Sequence, residues 1–90
     1  MPLITVHVTL ADIEDGAPGE ADNPVARALR RATGIDWIVM YCMIAVEANP
    51  PHRTVTLPLD LYEQLKQYER TRHMNPVCVQ IVLPPESATG

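Results

Sequence analysis

Ten consecutive residues, from Trp37 to Val46, are all apolar, and this stretch constrains the fold more than any other part of the sequence. A membrane-spanning helix needs ~20 such residues, so the stretch is too short to be one. Its β-branched and aromatic side chains favour strand over helix. The surrounding segment 35–48 is long enough for two strands, or for one strand that bends near residues 41–43. A strand that is apolar on both faces predicts that both faces are covered.

Three other segments alternate apolar and polar residues, which is the pattern of a half-buried strand. They are residues 4–10, 53–57 and 77–83. In the second of them Val55 and Leu57 are expected to point inward. The chain therefore has strands at both of its ends and in its middle.

Two segments have the start signals of helices. Asn23 can cap free backbone amides, and Pro24 suits the first helical position, while Gly34 tolerates the left-handed conformation that ends a helix. Asp60 and Glu63 have the spacing of a capping box, which predicts a second helix after Asp60.

The resulting order is β-α-β-β-β-α-β, with the number of middle strands uncertain by one. Ninety residues, 47% of them apolar, fit one globular domain. We therefore predict an α+β protein with a mixed, mainly antiparallel sheet of four or five strands and two helices packed on one face. Residues 1–84 would form the single domain, and residues 85–90 a flexible C-terminal tail.

Residues 12–23 combine glycines with five acidic side chains, which predicts an exposed loop. The loop is either a solvated segment or an acidic patch that docks on an Arg/Lys-rich surface, such as nucleic-acid-handling proteins present. Under the second interpretation its partner-binding residues are Asp12, Glu14, Asp15, Glu20 and Asp22.

Three arginines of the first predicted helix, Arg27, Arg30 and Arg31, could contact an anion such as phosphate. The alternative is a solvated face that balances the nearby acidic residues. The net charge of −4 argues against a general nucleic-acid binder, because such proteins neutralise phosphates with excess Lys and Arg.

The apolar stretch is the most informative candidate site. If helices cover only one side of the sheet, one face of a central strand is exposed, and exposed apolar patches mark interfaces. Trp, Tyr and Met are enriched there, so Trp37, Val39, Tyr41 and Met43 are the predicted interface residues. The favoured partner is a second copy of the chain. The alternative is that the loop or the tail covers this face internally.

No catalytic or metal-binding arrangement stands out. His7, His52 and His73 are scattered over a strand, a turn and a helix end, without paired ligand spacing. Cys42 and Cys78 lie among apolar neighbours, which predicts buried free thiols and therefore no activated nucleophile. The alternative is a disulfide between adjacent strands. We expect neither a cofactor nor enzymatic activity.

Several short motifs give the chain a resemblance to a known family. They are Asp-Ile-x-x-Gly at 12–16, Asn-Pro-Val-Ala-Arg-Ala-Leu at 23–29, Arg-x-Val-x-Leu-Pro at 53–58 and Asn-Pro-Val at 75–77. The chain resembles a family of small proteins of unknown function found in bacteriophages and bacterial genomes. Typical members read Cys-Pro-Ile-Ala-x-Ala-Leu at the first helix, so Asn23 replaces the usual Cys, and Tyr68-Glu69 replaces Phe-Asp. The resemblance implies the same fold and a mobile-element origin, and it implies no reaction.

We therefore expect a non-enzymatic phage or mobile-element accessory protein that acts by protein–protein binding, for example by inhibiting a host antiviral defence system such as a CRISPR complex. The alternative is a small-molecule or nucleotide-binding protein, sequestering its ligand as a dimer. Residues 1–5 lack the layout of a signal peptide, which predicts a cytoplasmic protein with no membrane association.

Overall fold

The computed structural model describes residues 3–17, 19–40, 44–50 and 52–83. It confirms the predicted α+β class and the predicted order of elements, with one additional short helix. The elements are β1 (Leu3–Val8), α1 (Leu10–Asp15), α2 (Pro24–Thr33), β2 (Trp37–Val39), β3 (Ile44–Glu47), β4 (Thr54–Thr56), α3 (Leu59–Thr71) and β5 (Val77–Val82). The tail predicted at 85–90 lies outside the described residues.

The strands form two antiparallel sheets instead of the single sheet that we predicted. β1 pairs with β5, so the two ends of the domain meet, and Val6 lies opposite Val79. The second sheet has the order β2-β3-β4, with Val39 opposite Ala45 and Ala45 opposite Val55. The second sheet is a meander of consecutive strands, which short turns can join.

Helix α1 corrects two predictions, because the loop predicted at 12–23 begins as a helix and the strand predicted at 4–10 ends at Val8. The cause is a capping box. The Thr9 hydroxyl accepts a hydrogen bond from the amide of Asp12 at 3.2 Å, and the Asp12 carboxylate accepts one from the amide of Thr9 at 3.0 Å. Gly16 follows the helix where an added Cβ would lie 2.7 Å from the Asp12 carbonyl oxygen, so close packing requires glycine there.

Helix α2 begins and ends where the sequence predicts. The Asn23 side chain accepts a hydrogen bond from the amide of Ala26 at 2.8 Å, and Gly34 adopts a left-handed φ of 75°. Its apolar side packs on β1 and β2.

Helix α3 has the predicted apolar side, formed by the buried residues Leu61, Leu65 and Tyr68, but its start differs from the prediction. Pro58 occupies the capping position and no side chain caps the helix there, so Asp60 lies within the first turn and does not cap it. Among the helices of the described residues, none is long and apolar enough to cross a membrane.

One core joins the two sheets to the helices. It contains side chains from every element described above and is dominated by Val, Leu and Ile with one Trp and one Tyr. Its largest fully buried members are Trp37, Tyr68, Leu29, Leu57, Leu61, Leu65 and Ile81.

Candidate protein-binding surface

The three-stranded sheet buries the face on which we expected exposed interface residues. Trp37 is 2% exposed and Val39 is fully buried, so both belong to the core and the prediction of an interface through them is wrong. Tyr41 and Met43, the other two predicted interface residues, lie outside the described part of the chain. Ala45 and Val55 share this inner face with Val39.

Hydrogen bonding explains why Trp37 points inward. Its indole Nε1 donates to the Thr33 hydroxyl at 3.0 Å, and that hydroxyl donates to the Leu29 carbonyl oxygen at 2.8 Å. The polar atom of the ring is therefore satisfied at the end of α2 while its apolar part fills the core.

A buried ion pair also lies on the inner face. Glu47, directly opposite Trp37, is 4% exposed, and its carboxylate accepts hydrogen bonds from the amide of Arg53 at 2.9 Å and from its Nε at 3.0 Å. The hydrogen bonds from the Arg53 side chain, opposed by desolvation and aided by its backbone amide, hold the pKa of Glu47 below its usual value. The ion pair thus connects Glu47, the last residue of β3, to Arg53, the residue before β4.

The opposite face of this sheet is apolar and open. Ile38 and Val46 are cross-strand neighbours and half-buried, while Ile44 is 40% exposed. Met40 is 36% exposed, and its amide donates to the Ile44 carbonyl oxygen at 3.1 Å, which places the two residues opposite each other. We call these four residues, Ile38, Met40, Ile44 and Val46, the outer apolar face.

Exposed threonines border this face. Thr54 lies opposite Val46, and Thr56 lies opposite Ile44, both on the neighbouring strand β4. An apolar centre with a polar rim is the usual composition of a protein interface.

The free edge of β2 is covered by the chain itself. The Glu20 carbonyl oxygen accepts a hydrogen bond from the Val39 amide at 2.9 Å, and the Asn23 Nδ2 donates to the Val39 carbonyl oxygen at 3.1 Å. Both backbone groups of Val39 are thus satisfied, so a partner strand cannot pair there. These hydrogen bonds cover only the edge of the sheet, so a partner can still contact its face.

The five predicted acidic docking residues differ in their exposure and in their ion pairs. Asp12 is buried, and both its carboxylate oxygens accept hydrogen bonds from Arg31, at 2.8 and 2.6 Å, so its prediction as an exposed docking residue is wrong. Burial raises the pKa of Asp12, but hydrogen bonds from Arg31 and Thr9 outweigh that effect and the pKa is lowered. The Arg31 pKa is correspondingly raised, chiefly by its hydrogen bonds to Asp12.

Three of the predicted acidic residues remain open to a partner. Glu14, Asp15 and Glu20 are exposed, and no ion pair to them is found among the described residues. Asp22 is exposed but lies 3.3 Å from Arg27. Glu14 and Asp15 stand in the last turn of α1, where the helix end already carries partial negative charge, so a cation from a partner would relieve repulsion.

The three arginines of α2 do not converge on an anion site. Arg27 pairs with Asp22, Arg31 with Asp12, and Arg30 lies 3.8 Å from Asp36. Each guanidinium thus already has a carboxylate neighbour, which matches the alternative interpretation of a charge-balanced surface.

The thiols and imidazoles form no cluster in the parts of the chain described. Cys78 is exposed, so the prediction that it is buried is wrong; it lies on the outward side of β5, opposite the exposed His7. Cys42 lies outside the described residues. No group of three or more His, Cys, Asp or Glu side chains that could hold a metal ion is found among the residues searched.

Comparisons with known proteins add no relative. No family model matches the chain, and neither a curated protein nor a solved structure matches it. The resemblance to the phage and bacterial family therefore stays a prediction, and the functional argument rests on the surface itself.

Proposed function

We propose that this chain is a non-enzymatic protein that acts by binding other proteins, and that the outer apolar face is its main contact. The observation that supports the proposal is the exposure of Met40 and Ile44 beside Ile38 and Val46, on a sheet whose other face is fully packed. Covering such a patch removes apolar surface from water, which favours association, and contiguous apolar patches are typical of protein interfaces.

A second copy of the chain is the first partner that we propose. Two-fold symmetry would bring the same four side chains of each copy together, because such an interface is self-complementary. Two sheets packed face to face lie about 10 Å apart, a separation that aliphatic side chains of this size can fill. Full burial of an Ile side chain contributes about 1.5–3 kcal/mol, so covering the exposed part of Ile44 would contribute about 1 kcal/mol.

The acidic residues Glu14, Asp15 and Glu20 support a second contact, with a basic surface on a different protein. The chain carries a net charge of −4, so the attraction to such a surface would be long-ranged as well as local. We propose that this partner belongs to a nucleic-acid-handling complex, because such complexes present exposed Arg and Lys.

The biological role that we propose is that of a phage or mobile-element accessory protein in the host cytoplasm, inhibiting an antiviral defence system such as a CRISPR complex. It is supported by the resemblance of the motifs at 12–16 and 23–29 and by the net charge of −4.

The test is phage plating on cells that carry a CRISPR defence, with and without the chain. Wild type should restore plating, and the pair of substitutions Glu14→Lys and Asp15→Lys should abolish the effect by reversing the local charge. Glu63→Lys, also exposed but on α3, is the matched control and should act like wild type. Restored plating by the doubly substituted chain would contradict the acidic contact, and no restoration by wild type would contradict the inhibitory role.

A further inference from the structure

We propose that His7 and Cys78 form half of a zinc site, and that a second copy of the chain completes the site with the same two residues. The two residues are direct cross-strand partners in the pairing of β1 with β5, and both are exposed. The outer apolar face belongs to the other sheet, so this inference does not depend on the protein contacts proposed above.

The backbone of β1 brings the two side chains close together. The His7 carbonyl oxygen accepts a hydrogen bond from Arg31 Nη2 at 2.8 Å, so it points away from β5. His7 and Cys78 are therefore a non-hydrogen-bonded pair, the type in which the Cα atoms approach to about 4.5 Å and the side chains lie closest. Arg31 is itself paired with Asp12, so its charge is balanced and does not oppose a cation here.

Both donor groups of the pair are free to bind a metal ion. No hydrogen bond or ion pair found among the described residues involves the His7 ring or the Cys78 thiol. Thiolate and imidazole are the usual ligands of structural zinc, whereas Ca²⁺ and Mg²⁺ take oxygen ligands. The chemistry of the two donors therefore selects zinc.

One chain supplies too few ligands to close the site. Structural zinc is four-coordinate, and no group of three or more suitable side chains is found in the part of the chain that was searched. Two-fold symmetry places the same pair of each copy around one axis, which gives two sulfur and two nitrogen ligands. Each thiol releases its proton on binding, so two thiolates and two neutral imidazoles hold one Zn²⁺ without net charge.

The surroundings of the pair suit a site between two copies. Leu10, Pro76 and Val77 line the surface hollow in which His7 and Cys78 lie. A second copy that covers this hollow brings the same apolar side chains with it. Apolar surroundings limit the access of water to a metal ion.

Cobalt(II), which replaces zinc in thiolate sites and absorbs light there, is the spectroscopic probe. Titration of the reduced wild-type chain should give the near-ultraviolet absorption of a cobalt–thiolate bond, saturating at about half an equivalent per chain. Cys78→Ser should abolish this absorption, and His7→Gln should weaken binding at least about 10- to 100-fold. Cys42→Ser and His73→Gln are the matched controls and should bind like wild type.

Sedimentation equilibrium tests whether a second copy completes the site. Ile44→Lys removes the proposed contact through the outer apolar face, so this variant should have the single-chain mass with a chelator and twice that mass with zinc. Adding Cys78→Ser to it should keep the single-chain mass in zinc. If wild type is already monomeric without zinc, wild type takes the place of Ile44→Lys, so failure of the outer-face contact does not affect this test.

Saturation at one cobalt per chain, a thiolate absorption unchanged in Cys78→Ser, or a mass that does not respond to zinc would each overturn the proposal. A dimer that forms without zinc and is broken by reductant would be a Cys78 disulfide, and it would overturn the proposal as well.

Discussion

Replacing Glu47 by Gln should destabilise the fold more than any other single change of one carboxylate to its amide. The Glu47 side chain is 4% exposed and accepts three hydrogen bonds from Arg53, through the backbone amide, Nε and Nη2. Glutamine keeps the shape and one acceptor oxygen. It removes the negative charge that the Arg53 guanidinium faces and replaces one acceptor oxygen by an NH2 group, which cannot accept a hydrogen bond from Arg53.

The size of the effect follows from the burial of the pair. Removing one partner of a buried ion pair costs about 3–5 kcal/mol. The Arg53 side chain keeps 15% exposure, so water relieves part of the charge and we expect a loss near the lower end, about 3 kcal/mol. A small domain is stable by about 5–15 kcal/mol, so this would be a large share of the total. The melting temperature should fall by about 12–24 °C, at about 4–8 °C for each kcal/mol.

Urea denaturation followed by tryptophan fluorescence measures this directly, because Trp37 is the single tryptophan and lies opposite Glu47 in the sheet. Glu69→Gln is the control. Glu69 pairs with Lys66 at 3.1 Å, but both side chains are about two-fifths exposed, so this variant should lose less than about 0.5 kcal/mol. If Glu47→Gln were no more destabilising than Glu69→Gln, the interpretation of Glu47 as a buried structural anion would be refuted.

Three further predictions concern stability. Asp12 and Glu47 have lowered pKa values in the folded state, so below about pH 5 the unfolded chain binds more protons than the folded chain. The free energy of unfolding should therefore fall as acid is added. A free energy of unfolding that stays constant from about pH 7 to 3 would contradict this. Asn23→Ala removes a helix cap and leaves the buried Val39 carbonyl oxygen unpaired, which should cost about 2–4 kcal/mol by urea denaturation, and a loss below 1 kcal/mol would be evidence against both roles. Arg72 adopts a left-handed φ of 65° at the end of α3, so Arg72→Gly should unfold at a temperature no lower than wild type. Gly34 has a φ of 75°, so Gly34→Ala should lower the free energy of unfolding by about 1 kcal/mol. An Arg72→Gly variant less stable than Gly34→Ala would show that side-chain contacts outweigh backbone strain.

Local signals in the sequence predicted where a helix begins and ends better than they predicted the contacts that its residues make with the rest of the chain. The predicted start of α2 at Asn23-Pro24 and its predicted end at Gly34 are confirmed. Each could be predicted because it depends on the conformation of only one or two residues. Helix α1 was missed, because Thr9 and Leu10 continue the alternation of β1 and the cap becomes visible only when Thr9 is paired with Asp12. The glycines and acids after Asp12 suggested a loop, and Asp12 is in fact held by Arg31, a contact 19 residues away.

The choice of face on the central strands could not be made from the sequence. Trp37–Val46 is apolar at every position, so both alternations fit equally well. Trp37 was assigned to an interface from residue preferences, whereas its hydrogen bond to Thr33 and its place opposite Glu47 put it in the core. Glu47 is itself misleading, because a charged residue at a strand end suggests an outward side chain until Arg53 is known to pair with it. For Trp37 and Val39, the expectation of an exposed side chain was therefore wrong, because the positions of this segment that face outward are the alternate ones, Ile38 and Met40.

The mass of the protein in solution tests the central claim that the outer apolar face is an interface. Sedimentation equilibrium at about 0.1 mM should give twice the chain mass of 10.0 kDa for wild type and the single-chain mass for Ile44→Lys, because a charge at the centre of an apolar contact is desolvated on association. Gln80→Lys, exposed on the other sheet, is the matched control and should remain dimeric. A wild-type protein that sediments as a monomer, or an Ile44→Lys variant that stays dimeric, would contradict the account.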